Sequence, residues 1–291
     1  MRRSLLTSLT TLPPWPLLCV LILVALAVGS FLNVVITRLP VILMRGWRAE
    51  AREALELPPE SLPRFNLLTP GSLCPHCEHP ITWHDNLPLL GYLKRRGRCA
   101  HCHGRISLQY PLVELTTLAL TLVVVWQQGL GMDSLAILAA CLMLLVLGVI
   151  DLRTQLLPDI LTQPLLWGGL LYHLVFAPSG LTEAIIGAVA GYLVLWSLYW
   201  LFRLLTRREG MGQGDFKLLA ALGAWCGWPS LPLLLVIATL LGSIYGIGLQ
   251  LLRPATRGQP IAFGPFLVIA GWLMLLCGPT LMAAYMSTLG L

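Results

Sequence analysis

The sequence predicts an all-α polytopic membrane protein of about eight transmembrane helices, with a metal-binding cytoplasmic domain between helices 1 and 2. Three observations predict it. The 291 residues are 57% hydrophobic and only 11% charged, against roughly 25% charged in an ordinary soluble domain. Several apolar runs reach the ~20 residues that cross a bilayer as helix. All but Arg2 and Arg3 of the 19 Lys and Arg residues fall at alternate connectors between these runs, the pattern of cytoplasmic segments. The net charge of +6 therefore reports topology and gives no ground for a nucleic-acid partner.

The first span is Leu17–Ile36. Ala25-Leu26-Ala27 within it resembles a signal-peptidase site. Cleavage there would leave the next loop outside the cell, yet that loop, Arg38–Arg105, carries ten of the 19 basic residues. An uncleaved span with its N-terminus outside fits better, at the cost of Arg2 and Arg3 on the far side. Inside the loop, Arg45–Pro63 is rich in helix formers and charge and stops at Pro58-Pro59. It reads as a surface helix, either lying on the membrane or solvated. Leu112–Leu130 and Ser134–Ile150 are spans two and three, and their connector holds no basic residue. Span four begins near Pro158, a residue suited to a first helical turn, and runs to Phe176. Span five is about Thr182–Leu205; span six, Phe216–Trp228, is short for a crossing. Span seven is Leu231–Leu252, and span eight is Phe263–Leu276 with an apolar tail able to extend it. No internal repeat is visible. The chain thus divides into a first helix (1–37), a cytoplasmic tetracysteine domain (38–110) and a membrane domain of about seven helices (111–291).

Arg153, then Arg203, Arg207, Arg208 and Lys217, then Arg253 and Arg257, all sit at connectors that parity places in the cytoplasm. Two crossings separate Asp151 from Asp215, so both acids sit at the cytoplasmic membrane boundary. An acid at such a boundary is costly and reads as functional by default. Asp215 stands in Gly210-Met211-Gly212-Gln213-Gly214-Asp215-Phe216-Lys217, where glycines let a backbone approach closely. Its structural alternative is an N-cap of the next helix. Two carboxylates that meet cannot both ionise easily, so one holds a proton while the other activates water. For Asp151 the alternative is an ion pair with Arg153 or another nearby cation. Asp159, in the first turn of span four, is a rival partner and reads first as structural.

The second constellation is Cys74-Pro75-His76-Cys77 and Cys99-Ala100-His101-Cys102, with 21 residues between the pairs. Four thiolates in this pattern suit one tetrahedral structural zinc ion, and a cytoplasmic loop disfavours disulfides. Substitution of one Cys by a nearby His is the minor alternative. A closed four-sulfur set leaves no position for hydrolysis at the metal. The remaining four cysteines lie in apolar runs and read as small buried hydrophobes.

Gly29-Ser30-Phe31-Leu32-Asn33-Val34-Val35-Ile36 with Arg38-Leu39-Pro40 resembles the first-span signature of bacterial type IV prepilin peptidases. The two C-x-x-C pairs, Asp85-Asn86-Leu87-Pro88 and Tyr110-Pro111-Leu112-Val113-Glu114 are similar to that family's cytoplasmic domain. Ile150-Asp151 with Leu157-Pro158-Asp159, and Gly212-Gln213-Gly214-Asp215-Phe216-Lys217, resemble its two aspartate motifs, the second containing the G-x-G-D of this protease class. The resemblance implies an inner-membrane aspartyl endopeptidase that cleaves the basic leader from prepilins and pseudopilins on the cytoplasmic side. It implies N-methylation of the new first residue, usually Phe, from S-adenosylmethionine. It implies Asp151 and Asp215 as the catalytic pair, Gly212, Gly214, Asp159 and Lys217 in support, and Cys74, Cys77, Cys99 and Cys102 as zinc ligands. The sequence has no G-x-G-x-x-G nucleotide fingerprint, so no residue is assigned to the methyl donor. Gly210, Gly212 and Gly214 are expected to form a mobile segment that carries Asp215 toward Asp151. Two other readings stay open: a peptidase alone, with the tetracysteine loop docking substrate, and a transporter or scaffold whose acids carry ions.

Overall fold

The structure, a computed structural model, describes residues 15–60, 62–207, 211–252 and 261–289. Arg2, Arg3, Arg208, Gly210, Arg253 and Arg257 lie outside the described residues. The chain falls into two compact units, 1–129 and 130–291. The described residues are almost entirely helical, with two isolated β-bridges and no longer strand.

The first unit holds α1 (Trp15–Ala54), α2 (Leu90–Lys94) and α3 (Gln109–Gln128). α1 is one helix of 40 residues, about 60 Å at 1.5 Å per residue. The surface helix expected from Arg45 is therefore the far end of α1, continuous with the first span. Pro40 lies inside it and removes one backbone bond, but helix formers on both sides carry the helix through. Arg38, Arg45 and Arg52 lie seven residues apart, on one face. Each clamps the returning chain: Arg52 donates to the Pro58 carbonyl, Arg45 to that of Pro63, and Arg38 to those of Asn66, Leu67 and Gly71. α1 and α3 cross closely at Gly29, where an added Cβ would lie 2.8 Å from Glu114 Cα. Beside that crossing the buried Asn33 donates to the Tyr110 carbonyl at 3.0 Å.

The second unit holds α4 (Met132–Thr154), α5 (Asp159–Phe176), α6 (Leu181–Thr206), α7 (Gln213–Cys226), α8 (Leu231–Leu252) and α9 (Gly264–Leu289). α7 is its centre, with α5, α6 and α9 packed around it and every residue from Leu218 to Trp225 buried. The α6–α7 crossing is made by glycines. A Cβ at Gly187 would collide with the Gly223 carbonyl, and one at Gly191 would lie 2.6 Å from that of Leu219. Small residues four apart are how membrane helices bring backbones together. Trp225 Nε1 locks α7 to α5 by donating to the Leu165 carbonyl at 2.8 Å.

These eight longer helices occupy the eight expected spans, but only six are long and apolar enough to cross a membrane by themselves. α7 has 14 residues, about 21 Å, against a hydrocarbon core of about 30 Å. α5 has 18, diluted by Asp159, Gln163, Pro164 and His173. The chain is a multi-pass membrane protein.

Candidate active site and metal centre

Asp151 lies in the last turn of α4, which closes on Gln155 in the left-handed conformation. The Gln155 amide donates to the Asp151 carbonyl at 2.9 Å. Leu156, Leu157 and Pro158 then lead into α5, where Pro158 is the N-cap residue and not part of the first turn. Asp215 is in the first turn of α7, but Gly212 holds the N-cap position, so Asp215 is not the cap. As the third residue of the helix it lies in the field of the unpaired N-terminal amides.

The structure brings the two acids together. Asp151 is 5% exposed and Asp215 7%, and the charge of Asp151 acts on Asp215. Among the described residues neither takes part in a salt bridge, so the Asp151–Arg153 ion pair does not form. Asp151 Oδ2 is buried with no hydrogen-bond partner. Buried carboxyl oxygens are normally satisfied, and an exception calls for a reason. Two buried carboxyl groups, one protonated and one ionised, are the acid and the base that hydrolysis of an amide requires.

Asp159 and Lys217 form a pair of their own. Lys217 Nζ lies 2.7 Å from both Asp159 oxygens, joining the first turns of α5 and α7. Asp159 is thereby matched with a cation and 60% exposed, unlike the two buried acids. Gly214 is helical, and an added Cβ would lie 2.7 Å from Leu157 Cβ. Its lack of a side chain lets the α4–α5 connector pack on the start of α7. Gly212 faces Asp215 Oδ2, with 3.8 Å from its Cβ position. Gly264, the first residue of α9, was not legible as part of this site. Gly-Pro at a span's start signals a helix N-terminus, and nothing in the sequence puts that end against Asp151.

In the first unit Cys74, Cys77, Cys99 and Cys102 bring their Sγ atoms within 4.8 Å of one another. A tetrahedral ion with bonds of about 2.3 Å sets its sulfurs about 3.8 Å apart; Cys74 and Cys102 Sγ are 3.8 Å apart. The four-sulfur set therefore fits a metal ion. Two matching knuckles build it, a local repeat not seen in the sequence. One is closed by the Leu73–Pro80 bridge and the other by Arg98–Arg105. In each the residue after the second cysteine turns left-handed, Glu78 at φ 54° and His103 at φ 56°. The Cys102 and His101 amides beside Cys99 hold its thiol down at about 6. Donors aimed at a sulfur favour the thiolate that binds metal. No histidine belongs to this cluster, although His79 and His101 stack beside it at 4.5 Å.

Two further acids, the buried Glu114 and the half-buried Asp85, complete the frame of the first unit. Glu114 Oε2 accepts from the Leu89 amide at 2.8 Å, tying the start of α2 to α3. Asp85 accepts from Arg95 at 2.6 Å and Lys94 at 3.0 Å, and these cations hold its carboxyl well below the usual carboxylate range.

Residues 23–128 match the family model for the bacterial peptidase A24 N-terminal domain, and residues 138–247 match that of the type IV leader peptidase family. A prepilin leader peptidase/N-methyltransferase from Aeromonas salmonicida is 53% identical over 279 residues, 95% of this chain and 96% of that protein. The proteins of the same name from Stutzerimonas stutzeri and Pseudomonas aeruginosa are each 49% identical, over 93% and 92% of this chain and 93% of each relative. No solved structure matches the chain. With about half its residues identical to these relatives along nearly their full length, the chain belongs to the type IV leader peptidase family.

Proposed function

We propose that the chain is an aspartyl endopeptidase that removes the basic leader from type IV prepilins and pseudopilins, then N-methylates the new N-terminal residue. The observation that carries the peptidase is the pair of buried acids Asp151 and Asp215, free of any cationic partner among the described residues. One carboxylate takes the proton of an attacking water. The other, protonated, supports the scissile carbonyl and then gives its proton to the leaving amine. The buried, unpartnered Oδ2 of Asp151 is suited to the shared proton. Asp159 and Lys217 hold the two helix starts in register and take no proton from substrate.

The reaction takes place at the cytoplasmic face of the inner membrane, because Arg153, Arg203 and Lys217 lie at the same helix ends as the aspartates. Segment 38–110 is the cytoplasmic domain, and Cys74, Cys77, Cys99 and Cys102 would hold one zinc ion there. Zinc supplies a structural cross-link and no chemistry at the scissile bond. S-adenosylmethionine is the methyl donor, and the methylation rests on the relatives' shared name. That name also disfavours both a peptidase acting alone and a transporter.

Co-expression with a prepilin tests the reading. The wild type should shorten the pilin, and Asp215→Ala should leave it at full length. Labelled S-adenosylmethionine should then mark only the shortened product. A pilin shortened equally by both proteins would refute the peptidase assignment.

A further inference from the structure

Gly264 opens α9, beyond the residues 138–247 that match the peptidase family model. An added Cβ there would lie 2.5 Å from Asp151 Oδ2, 3.1 Å from its Cγ and 3.5 Å from its Cβ. Real Cβ atoms do not approach an oxygen that closely, and all three near atoms belong to the Asp151 side chain. The Gly264 backbone amide faces the same group. The oxygen in question is the buried one without a partner. So the start of α9 closes over Asp151 with bare backbone. It shields Oδ2 from solvent while offering it no competing side chain.

We propose that Gly264 is a positioning residue for hydrolysis, fixing the rotamer of the Asp151 carboxyl and keeping Oδ2 unpartnered for the shared proton. The inference rests on Asp151 acting in cleavage. A methyl group at 264 meets only the Asp151 side chain, so the group that must turn away is the reacting carboxyl itself. The α5–α7 connections reach Asp215 by other contacts, so this device acts on one member of the pair. It also gives the last helix a place in a site whose two acids both lie earlier in the chain.

The experiment compares Gly264→Ala with Gly242→Ala in the full-length protein in detergent. Gly242 lies in α8, where a Cβ would stand 3.3 Å from the Phe266 ring of α9, a similar insertion in the same helix pair but away from the acid. Gly264→Ala should lower kcat for prepilin cleavage about 100-fold, the usual scale of a misplaced group, with KM little changed. Gly242→Ala should keep kcat. A thermal-melting cycle provides a readout independent of activity. Gly264→Ala should lower the melting temperature in the wild type and cost clearly less in an Asp151→Ala background, because the colliding carboxyl is gone. Equal cost in both backgrounds overturns the inference, as does wild-type kcat or a change confined to KM. Asp151→Asn, run in the same assay, separates the two claims: if it cleaves normally, Asp151 is not catalytic and the positioning role falls with it. If it is inactive while Gly264→Ala is normal, only the role of Gly264 is lost.

Discussion

At the scale of single residues, the molecule contains acids of three kinds. Asp151 and Asp215 are buried, with no cationic partner among the described residues; Asp159 is paired and exposed; Asp85 is paired within a folded loop. The difference predicts different responses to removal. Asp159→Asn deletes an ion pair worth at most about 1 kcal/mol at this exposure. It should leave most cleavage activity, measured as the initial rate on a prepilin. Asp85 predicts a pH response of the tetracysteine loop. Hydrogen bonds from Arg95 and Lys94 depress its folded pKa, so the folded state binds fewer protons than the unfolded one. Its stabilisation is complete above the unfolded carboxylate value of about 3.9 and is lost as pH falls below it through the folded value. Amide exchange over residues 82–98 should therefore be insensitive to pH-dependent loosening at neutral pH, once intrinsic exchange rates are corrected for. It should rise in acid, and in Asp85→Asn it should already be raised at pH 7. Unchanged protection in that variant would remove Asp85 from the frame of the loop.

At the scale of elements, the decisive contacts are those of α7, the short helix that carries Asp215. Its depth in the unit comes from glycine. Gly187 meets the Gly223 carbonyl directly, and backbone cannot move aside as a flexible side chain can. Gly187→Val should therefore destabilise the second unit by about 1–3 kcal/mol, seen as a lower melting temperature. Cleavage should be lost as α7 is pushed off α6. Gly214→Val should also slow cleavage, through collision with Leu157. The element-level reading of the sequence was good where hydrophobic runs are long, as at Leu231–Leu252, which matches α8 residue for residue. It was poor at ends. The structural alternative for Asp215, an N-cap, falls to Gly212, and Pro158, expected near the start of span four, caps α5 and stands just outside its first turn. Cap identity depends on where the chain turns in space, and propensity alone does not fix that. The continuity of α1 past Pro40 was hidden for a related reason. A proline and a charged stretch mark a boundary in the sequence, whereas the arginines at 38, 45 and 52 turn that stretch into a clamp for the returning chain.

At the scale of the whole molecule, two separate constructions stand on two units. One is a four-sulfur cluster made by a pair of knuckles, the other a pair of buried acids at helix ends. Both were legible because each repeats a chemical type at a spacing that chemistry demands: C-x-x-C twice, and acids at the same end of spans an even number of crossings apart. Gly264 was not legible, since its role is to be absent from a space that only the folded chain defines. Removing the metal should affect the two constructions unequally. Cys74→Ser should release bound zinc and raise protease sensitivity between residues 57 and 108, because metal binding and folding are coupled in small sites. The melting of the second unit should change little. Metal analysis of the purified wild type should find one zinc per chain, and none would contradict the cluster's role. The central claim is that Asp151 and Asp215 together perform the cleavage, and the single-turnover rate on a purified prepilin tests it most directly. Asp151→Asn and Asp215→Asn keep the shape of each side chain but cannot share the proton. Each should lower that rate by at least about 100-fold while the protein stays folded in the membrane. A rate close to wild type in either variant would contradict the account.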